Sequence, residues 1–473
     1  MTRWLAAAAV AALYLYGLDG YGLINADEPR YAAIGQEMAR SGDWITPRLW
    51  GQPWFEKPVL LFWMVSAAHS AGLGGELAAR LPVALLSIAF LAFFGCWMRR
   101  LFDAAAAWHS TAVLATSVGW FAYSRTAVTD LPLAATFSAA MLVGISWLTR
   151  GERRWLPAAG ALLGVAMLAK GLVAAVLVLP LVWLGRARWR ELAAPAAIAL
   201  AVALPWYVAE VMRHGWHFVD VLFVQHHFGR FASGELQHGQ PFWFYAPVFL
   251  AGLFPWTPFA ALLFRRVNLE DPALRALSMW LGFGLLFFSA MKNKLPGYLL
   301  PMMPAAAALI GYHSSRTGRP RWLAPLSAAL LGCVVPLAIA ILPKALDEGL
   351  SRASLQWPPA FYLAAAIPVL LYEFGRQPGR AFAAVVVLFA AGLWLSVPRL
   401  APRLDEVTAR PFWNQEVAAR RGAVCVEPWL RRSWRYGLNY YAGEELPDCE
   451  KSPEPARVTP VEGTQRPRLI MAE

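Results

Sequence analysis

A chain of 473 residues that is 58% hydrophobic and only 15% charged, with mean hydropathy +0.44, falls outside the soluble range of about 45–50% apolar and about 25% charged. The composition points to an all-helical integral membrane protein and excludes a strand-alternating barrel. The net charge of +12 does not mark a nucleic-acid binder, because the arginines fall in short clusters between apolar runs, as in the cytoplasmic loops of membrane proteins.

A bilayer core takes about 20 residues of apolar helix, so the sequence predicts about thirteen spans. They cover residues 4–18, 78–98, 106–123, 131–149, 155–169, 171–185, 192–212, 241–264, 274–290, 298–313, 323–342, 358–373 and 381–400. Residues 1–18 read as a retained helix; a signal peptide is the alternative, but no small-x-small cleavage site follows. The basic clusters lie around Arg99, Arg150, Arg186, Arg265, Arg316 and Arg376. With these inside, the N-terminus is cytoplasmic and the C-terminus periplasmic. Six loops then face out: 19–77, 124–130, the turn at Lys170, 213–240, 291–297 and 343–357. Residues 1–400 form the membrane domain. Residues 401–473 form a small periplasmic domain, disordered beyond Lys451. Cys425 and Cys449 fall in that domain and are expected to pair, with two free thiols as the alternative. Cys96 and Cys333 lie within spans as inert core residues. The sequence holds no internal repeat, Walker loop, CxxC or HExxH.

The outward loops carry the chemistry. "NADEPRY" opens a helix over "DEPRYAAIGQEMARSG": Asp27 suits the N-cap, Pro29 the first turn, and Gly42 the end. Tyr31, Ile34 and Met38 make one apolar stripe, so this helix lies along the interface. A second helix follows Pro58. Asp27, Glu28 and Arg30 cluster where a lipid headgroup would arrive, with Glu56 and Lys57 close behind. Asp130, with Arg125 nearby, sits at a span edge, where an acid is costly unless paired or functional; a helix cap is the plain alternative. Lys170 in "MLAKGLVAAV" must reach the outer face, to snorkel or to meet a phosphate. "FVQHHFGRF" offers adjacent His226 and His227, and Arg230 as a phosphate clamp. Lys292 and Lys294 stand on the side where basic residues are scarce. Acids and cations on one bilayer face suit transfer from a lipid-phosphate donor. The cations stabilise the departing phosphate. A carboxylate acts as general base if the acceptor is a hydroxyl; for a phosphate acceptor it orients groups or holds a metal.

"DEPRYAAIGQEMARSGDWITPRLWGQPWFEKPVLLFWM", followed by "AARLPVAL", resembles the first outer loop of the ArnT-like family, aminoarabinose transferases acting on lipid A that are related to protein mannosyltransferases. The resemblance continues through "SRTAVTDLPL", "MLAKG", "QHHFGRF" and "KNKLPGYLLPMMPA", over about residues 1–310. It implies a GT-C fold and an inverting transfer of sugar from a polyprenyl (undecaprenyl) phosphate, at the periplasmic face of a bacterial inner membrane. The acceptor is lipid A or another envelope glycan. By motif it assigns Asp27 and Asp130 as the catalytic acids. Arg30, Lys57, Lys170, Arg230 and Lys294 then bind donor phosphate, Glu28 and Tyr298 line the cavity, and Glu56 with His227 could hold a divalent zinc or magnesium. The chain departs from the family at His226, where an acid is common, at Gly229, where Gln is common, and in its short tail. Two alternatives stand beside this: a sister GT-C enzyme with another sugar and acceptor, and a transporter, which would show paired repeats or broken midplane helices.

Overall fold

The computed structural model describes residues 2–229, 239–265, 268–316, 318–348, 364, 366–375, 377–461 and 466–471. A helix, or a pair of helix pieces, lies in each stretch expected to span. Not every stretch is one uninterrupted rod. Among the described residues five helices are long and apolar enough to cross a membrane: Gly75–Leu101, Asp130–Arg150, Arg186–His214, Pro272–Ala290 and Pro378–Asp405. A sixth counts if Phe242–Gly252 and Thr257–Phe264, bent by 120°, form one span. Other runs are divided at residues that compete with helical hydrogen bonding or lack a donor. Ala104–Ala115 breaks before Val118–Tyr123 at Thr116 and Ser117, and Val173–Leu177 before Leu179–Leu184 ahead of Pro180. The chain is a multi-pass membrane protein.

The first loop folds as its sequence predicts. A helix runs from Asp27 to Ser41 and ends at Gly42, whose φ of 69° closes it. Tyr31, Ile34 and Met38 are buried, and the helix packs on Leu60–Ser70. One detail differs. Asp27 is not the N-cap; Ala26 takes that place with helical backbone and no side-chain cap, so the Asp27 carboxylate turns to Arg30 instead.

A buried ion pair knots the loop to the membrane helices. Arg80, fully buried, meets Glu28 through Nε–Oε1 and Nη2–Oε2 contacts of 2.8 Å each. It also donates to the carbonyls of Leu18, Tyr21 and Gly22 at 2.7–2.9 Å. Glu28 in turn accepts from the amides of Ile24 at 2.8 Å and Ala127 at 3.0 Å. Arg125 does not pair with Asp130. It closes the first helix, Thr2–Leu15, by donating to the carbonyls of Leu13, Tyr14, Tyr16 and Gly17 at 2.6–3.1 Å, groups a helix end leaves without partners.

Asp130–Arg150 is the central helix, buried along nearly all its length. Leu156–Lys170 packs between it and Trp189–His214. "GALLG" brings the backbones together. A Cβ at Gly160 would lie 2.3 Å from the Pro195 carbonyl oxygen, and one at Gly164 2.6 Å from that of Ala199. Small residues four apart let membrane helices approach this closely.

The basic clusters gather on one face. Arg100 pairs with Glu152 at 2.5 Å, Arg153 with Glu191 at 2.7 Å, Arg316 with Asp103 at 2.5 Å and Arg319 with Glu373 at 3.1 Å. Asp130 and Lys170 occupy the opposite ends of helices that finish or begin in that face, about 20–30 Å away for helices of 21 and 15 residues. The first loop reaches the same far end, where Arg213 pairs with Asp43 at 2.7 Å.

Residues beyond 405 fold into a small α/β unit around Trp413, Val417, Val424, Val426, Trp434 and Leu438. Strand β1 (Val424–Val426) lies parallel to β2 (Ala456–Pro460), which pairs antiparallel with β3 (Pro467–Met471). The end expected to be disordered beyond Lys451 therefore holds two strands of a sheet; alternation in "ARVTP", buried at Ala456 and Val458, gives the inner strand a core face. Cys425 and Cys449 are joined. The unit sits on the first loop, at the end of the membrane domain away from the arginine clusters: the Tyr441 hydroxyl donates to Glu76 at 2.6 Å.

Two outcomes test this architecture. Glu28→Ala strands a buried guanidinium and is expected to cost about 3–5 kcal/mol; an unchanged thermal melt in detergent would show that the pair does not hold the loop. Non-reducing peptide mapping is expected to recover Cys425 joined to Cys449, a closure contributing about 3 kcal/mol in the chain-entropy model. Alkylation of both thiols without reductant would count against it.

Candidate active site

Five segments converge at the end away from the arginine clusters. The first turn of Asp27–Ser41 supplies Asp27 and Arg30, whose Nη2 lies 2.6 Å from Asp27 Oδ1. The segment before Leu60–Ser70 supplies Glu56 and Lys57. Arg30 Nη1 reaches Glu56 Oε2 at 3.5 Å, so the arginine bridges the two acids. Asp130 begins the central helix and Lys170 ends Leu156–Lys170. Their side chains meet at 2.6 Å. The Lys170 ammonium also lies 4.4 Å from the centre of the Tyr298 ring, which comes from the fifth segment, "KLPGY".

These charges share one neighbourhood. Burial first, then the charges of Asp27, Glu56 and Asp130, hold the Tyr31 phenol well above its ordinary range, with Arg30 acting the other way. Tyr31 thus stays protonated among the acids.

Beside them opens a cavity of about 310 Å³. Leu133, Leu172, Val173, Val176, Phe287, Phe288 and Met291 make its apolar walls. Glu56, Lys57, Lys170, His226 and Tyr298 supply its polar lining. An apolar chain with an anionic head fits such a shape: the walls take the chain and the two lysines take the charge.

The remaining expected site residues separate into groups. Glu28 does not line this cavity; its carboxylate is held by Arg80 and two backbone amides. Lys294 is buried and donates to the carbonyls of Gln240 and Met291; it is absent from the cavity lining. Arg230 and the His227 side chain lie outside the described residues. Among the described residues no group of three His, Cys, Asp or Glu side chains comes together to hold a metal, and Glu56 is turned to Arg30.

Two positions carry weight that the sequence reading did not assign. Gly297 lies against Asp130: a Cβ there would sit 2.6 Å from Oδ1 and 2.8 Å from Tyr123 Cε1. Only a residue without a side chain lets this backbone approach the carboxylate. The "LPGY" turn was the available signal. Arg80 is the other, an arginine at the start of a span, readable only as a charge needing a partner.

Residues 56–209 match the family model described as dolichyl-phosphate-mannose-protein mannosyltransferase. An undecaprenyl phosphate-alpha-4-amino-4-deoxy-L-arabinose arabinosyl transferase of Pseudomonas paraeruginosa PA7 is 34% identical over 324 residues, 64% of this chain and 58% of that protein. A second, from Pseudomonas fluorescens Pf0-1, is 31% identical over 359 residues, 69% of this chain and 63% of that protein. The chain thus matches about three-fifths of the length of these relatives. In overall shape it is similar to ArnT from Cupriavidus metallidurans, solved bound to undecaprenyl phosphate, with TM-score 0.73 and 24% identity over 97% of this chain and 93% of that one. Motif order, family model and shared architecture agree: the chain is similar to the ArnT-like transferases related to the protein mannosyltransferases, and it shares their GT-C fold.

Proposed function

We propose that this protein transfers a sugar from a polyprenyl phosphate to a cell-envelope acceptor at the periplasmic face of the inner membrane. The pair its relatives are named for, aminoarabinose from undecaprenyl phosphate, is the first candidate, with lipid A as acceptor. The cavity carries this reading: apolar walls end at Lys57 and Lys170, with Arg30 behind Glu56. A polyprenyl phosphate has that same division into apolar chain and charged head. The C. metallidurans protein of like fold was solved with undecaprenyl phosphate bound.

In the reaction an acceptor oxygen attacks the anomeric carbon. The bond from that carbon to the donor phosphate oxygen breaks, and its electron pair leaves with the polyprenyl phosphate. Attack opposite the leaving group inverts the centre. Lys57, Lys170 and Arg30 stabilise the charge that grows on the departing phosphate. Asp130 fixes Lys170 through their 2.6 Å contact. Asp27, about half exposed, takes the proton of a hydroxyl acceptor or orients a phosphate acceptor through Arg30. A metal would add Lewis-acid stabilisation; Glu56 is the single carboxylate found in the cavity lining among the described residues.

Two independent features support the proposed topology. The arginine face is cytoplasmic by the positive-inside rule. The joined Cys425 and Cys449 lie in a unit docked at the other end, which suits an oxidising periplasm. About thirteen spans, a cytoplasmic N-terminus and a periplasmic tail complete this reading. His226, in place of the acid common in the family, favours a second reading as a sister enzyme with another sugar or acceptor.

Lipid A mass spectrometry on cells with and without the gene is the direct test. The expected result is an amino-pentose adduct that disappears in Asp27→Asn at equal expression. Unchanged lipid A would move the acceptor to another glycan, and an adduct surviving in Asp27→Asn would remove Asp27 from the mechanism. In purified protein, Lys57→Ala is expected to weaken donor binding by about tenfold or more, since one charge-assisted contact contributes about 1.5–3 kcal/mol. Unchanged donor affinity would refute the phosphate role.

A further inference from the structure

The Arg30 guanidinium is enclosed by three aromatic rings. Tyr31 and Trp54, at 5.3 and 5.2 Å from ring centre to guanidinium carbon, come from the first loop. The third, Tyr436 at 5.7 Å, comes from the C-terminal unit. Tyr436 sits in the helix Arg432–Ala442, inside the loop that Cys425 and Cys449 close.

That helix is fixed to the first loop on several sides. Tyr441 donates to Glu76 at 2.6 Å and accepts from the Leu23 amide at 3.3 Å. Tyr440 packs with Leu23, Ala32, Ala33 and Ala79. Arg410, just before the unit's core, pairs with Asp405 at 3.0 Å and donates to the Asp19 carbonyl at 2.7 Å. The seat of Tyr436 is therefore set by contacts other than its own with Arg30.

We propose that Tyr436 is a positioning residue for Arg30, which couples the C-terminal unit to the donor-phosphate site from behind Glu56. Arg30 stands between Asp27 and Glu56 and could swing toward either acid. Rings within about 6 Å hold a guanidinium by cation–π attraction. Arg30 Nε is buried and has no hydrogen-bond partner among the described residues. With no hydrogen bond on that side, the rings are what hold that edge of the guanidinium while Nη1 and Nη2 face the two acids. The inference rests on the lipid-phosphate reading of Arg30.

The test is binding of undecaprenyl phosphate to the full chain in detergent. It compares wild type with Tyr436→Ala, Tyr436→Phe, Arg30→Ala and the double variant Arg30→Ala/Tyr436→Ala. Tyr436→Ala is expected to weaken binding by about two- to thirtyfold, the span of a cation–π contact. Tyr436→Phe should restore it, and the double variant should bind no worse than Arg30→Ala. In turnover kcat/KM for the donor should fall with Tyr436→Ala and recover with Tyr436→Phe. Independent, additive losses in the double variant would mean a general folding effect and overturn the proposal. So would unchanged binding in Tyr436→Ala while Arg30→Ala is impaired, an outcome that leaves the lipid-phosphate reading standing. Absence of binding by wild type would overturn both.

Discussion

The site depends on one buried pair. Arg80 and Glu28 lie where the first loop meets the membrane helices, and neither touches solvent. Burying two charges is costly unless the remaining donors and lone pairs are also satisfied. Here they are: the guanidinium serves three carbonyls besides Glu28, and the carboxylate serves two amides. A lysine could not do this, because the planar fork is what reaches several acceptors at once. The pair also sets the distance between the two proposed catalytic acids. Asp27 precedes Glu28 in the chain, and Asp130 lies three residues after Ala127, whose amide Glu28 holds. One interaction thus fixes where both elements begin.

The charges of the site follow the same rule on a looser scale. Lysine at a helix centre costs about 2.5–3.5 kcal/mol on insertion scales. Lys170 avoids that by ending its helix, pairing with Asp130 and lying against Tyr298. The pair remains slightly open to solvent, at 11% and 17% side-chain exposure, unlike Arg80 and Glu28. A phosphate can therefore compete for Lys170, whereas nothing can compete for Arg80. This difference in exposure separates residues that act from residues that hold, and it moves Glu28 from the first group to the second.

Local features were legible in the sequence, and partners were not. The Asp27–Ser41 helix, its buried stripe of Tyr31, Ile34 and Met38, and its stop at Gly42 all follow from contacts within one or two turns. The hydrophobic runs marked the helices for the same reason. Lys170 and Asp130 could each be flagged as costly charges, yet nothing in either segment says that they pair across 40 positions. Asp27 was misread as a cap because Ala26 is helical, a backbone choice the residue types leave open. Arg125 was set beside Asp130 by sequence distance, while its side chain turned back to the end of the first helix. The close approach at "GALLG" shows only once Leu156–Lys170 is set against Trp189–His214. The same holds for Tyr436, since its contact with Arg30 joins opposite ends of the chain.

The position of the C-terminal unit ties these points together. A tail joined only by its linker could face anywhere. This one is anchored at Asp405, Arg410, Tyr440 and Tyr441, all against residues 19–33 or the Glu76 turn. Those are the segments that the Arg80–Glu28 pair immobilises. The buried pair therefore orders the loop, the ordered loop seats the tail, and the seated tail returns Tyr436 to Arg30. A change anywhere in that sequence reaches the guanidinium without altering any residue that touches the cavity.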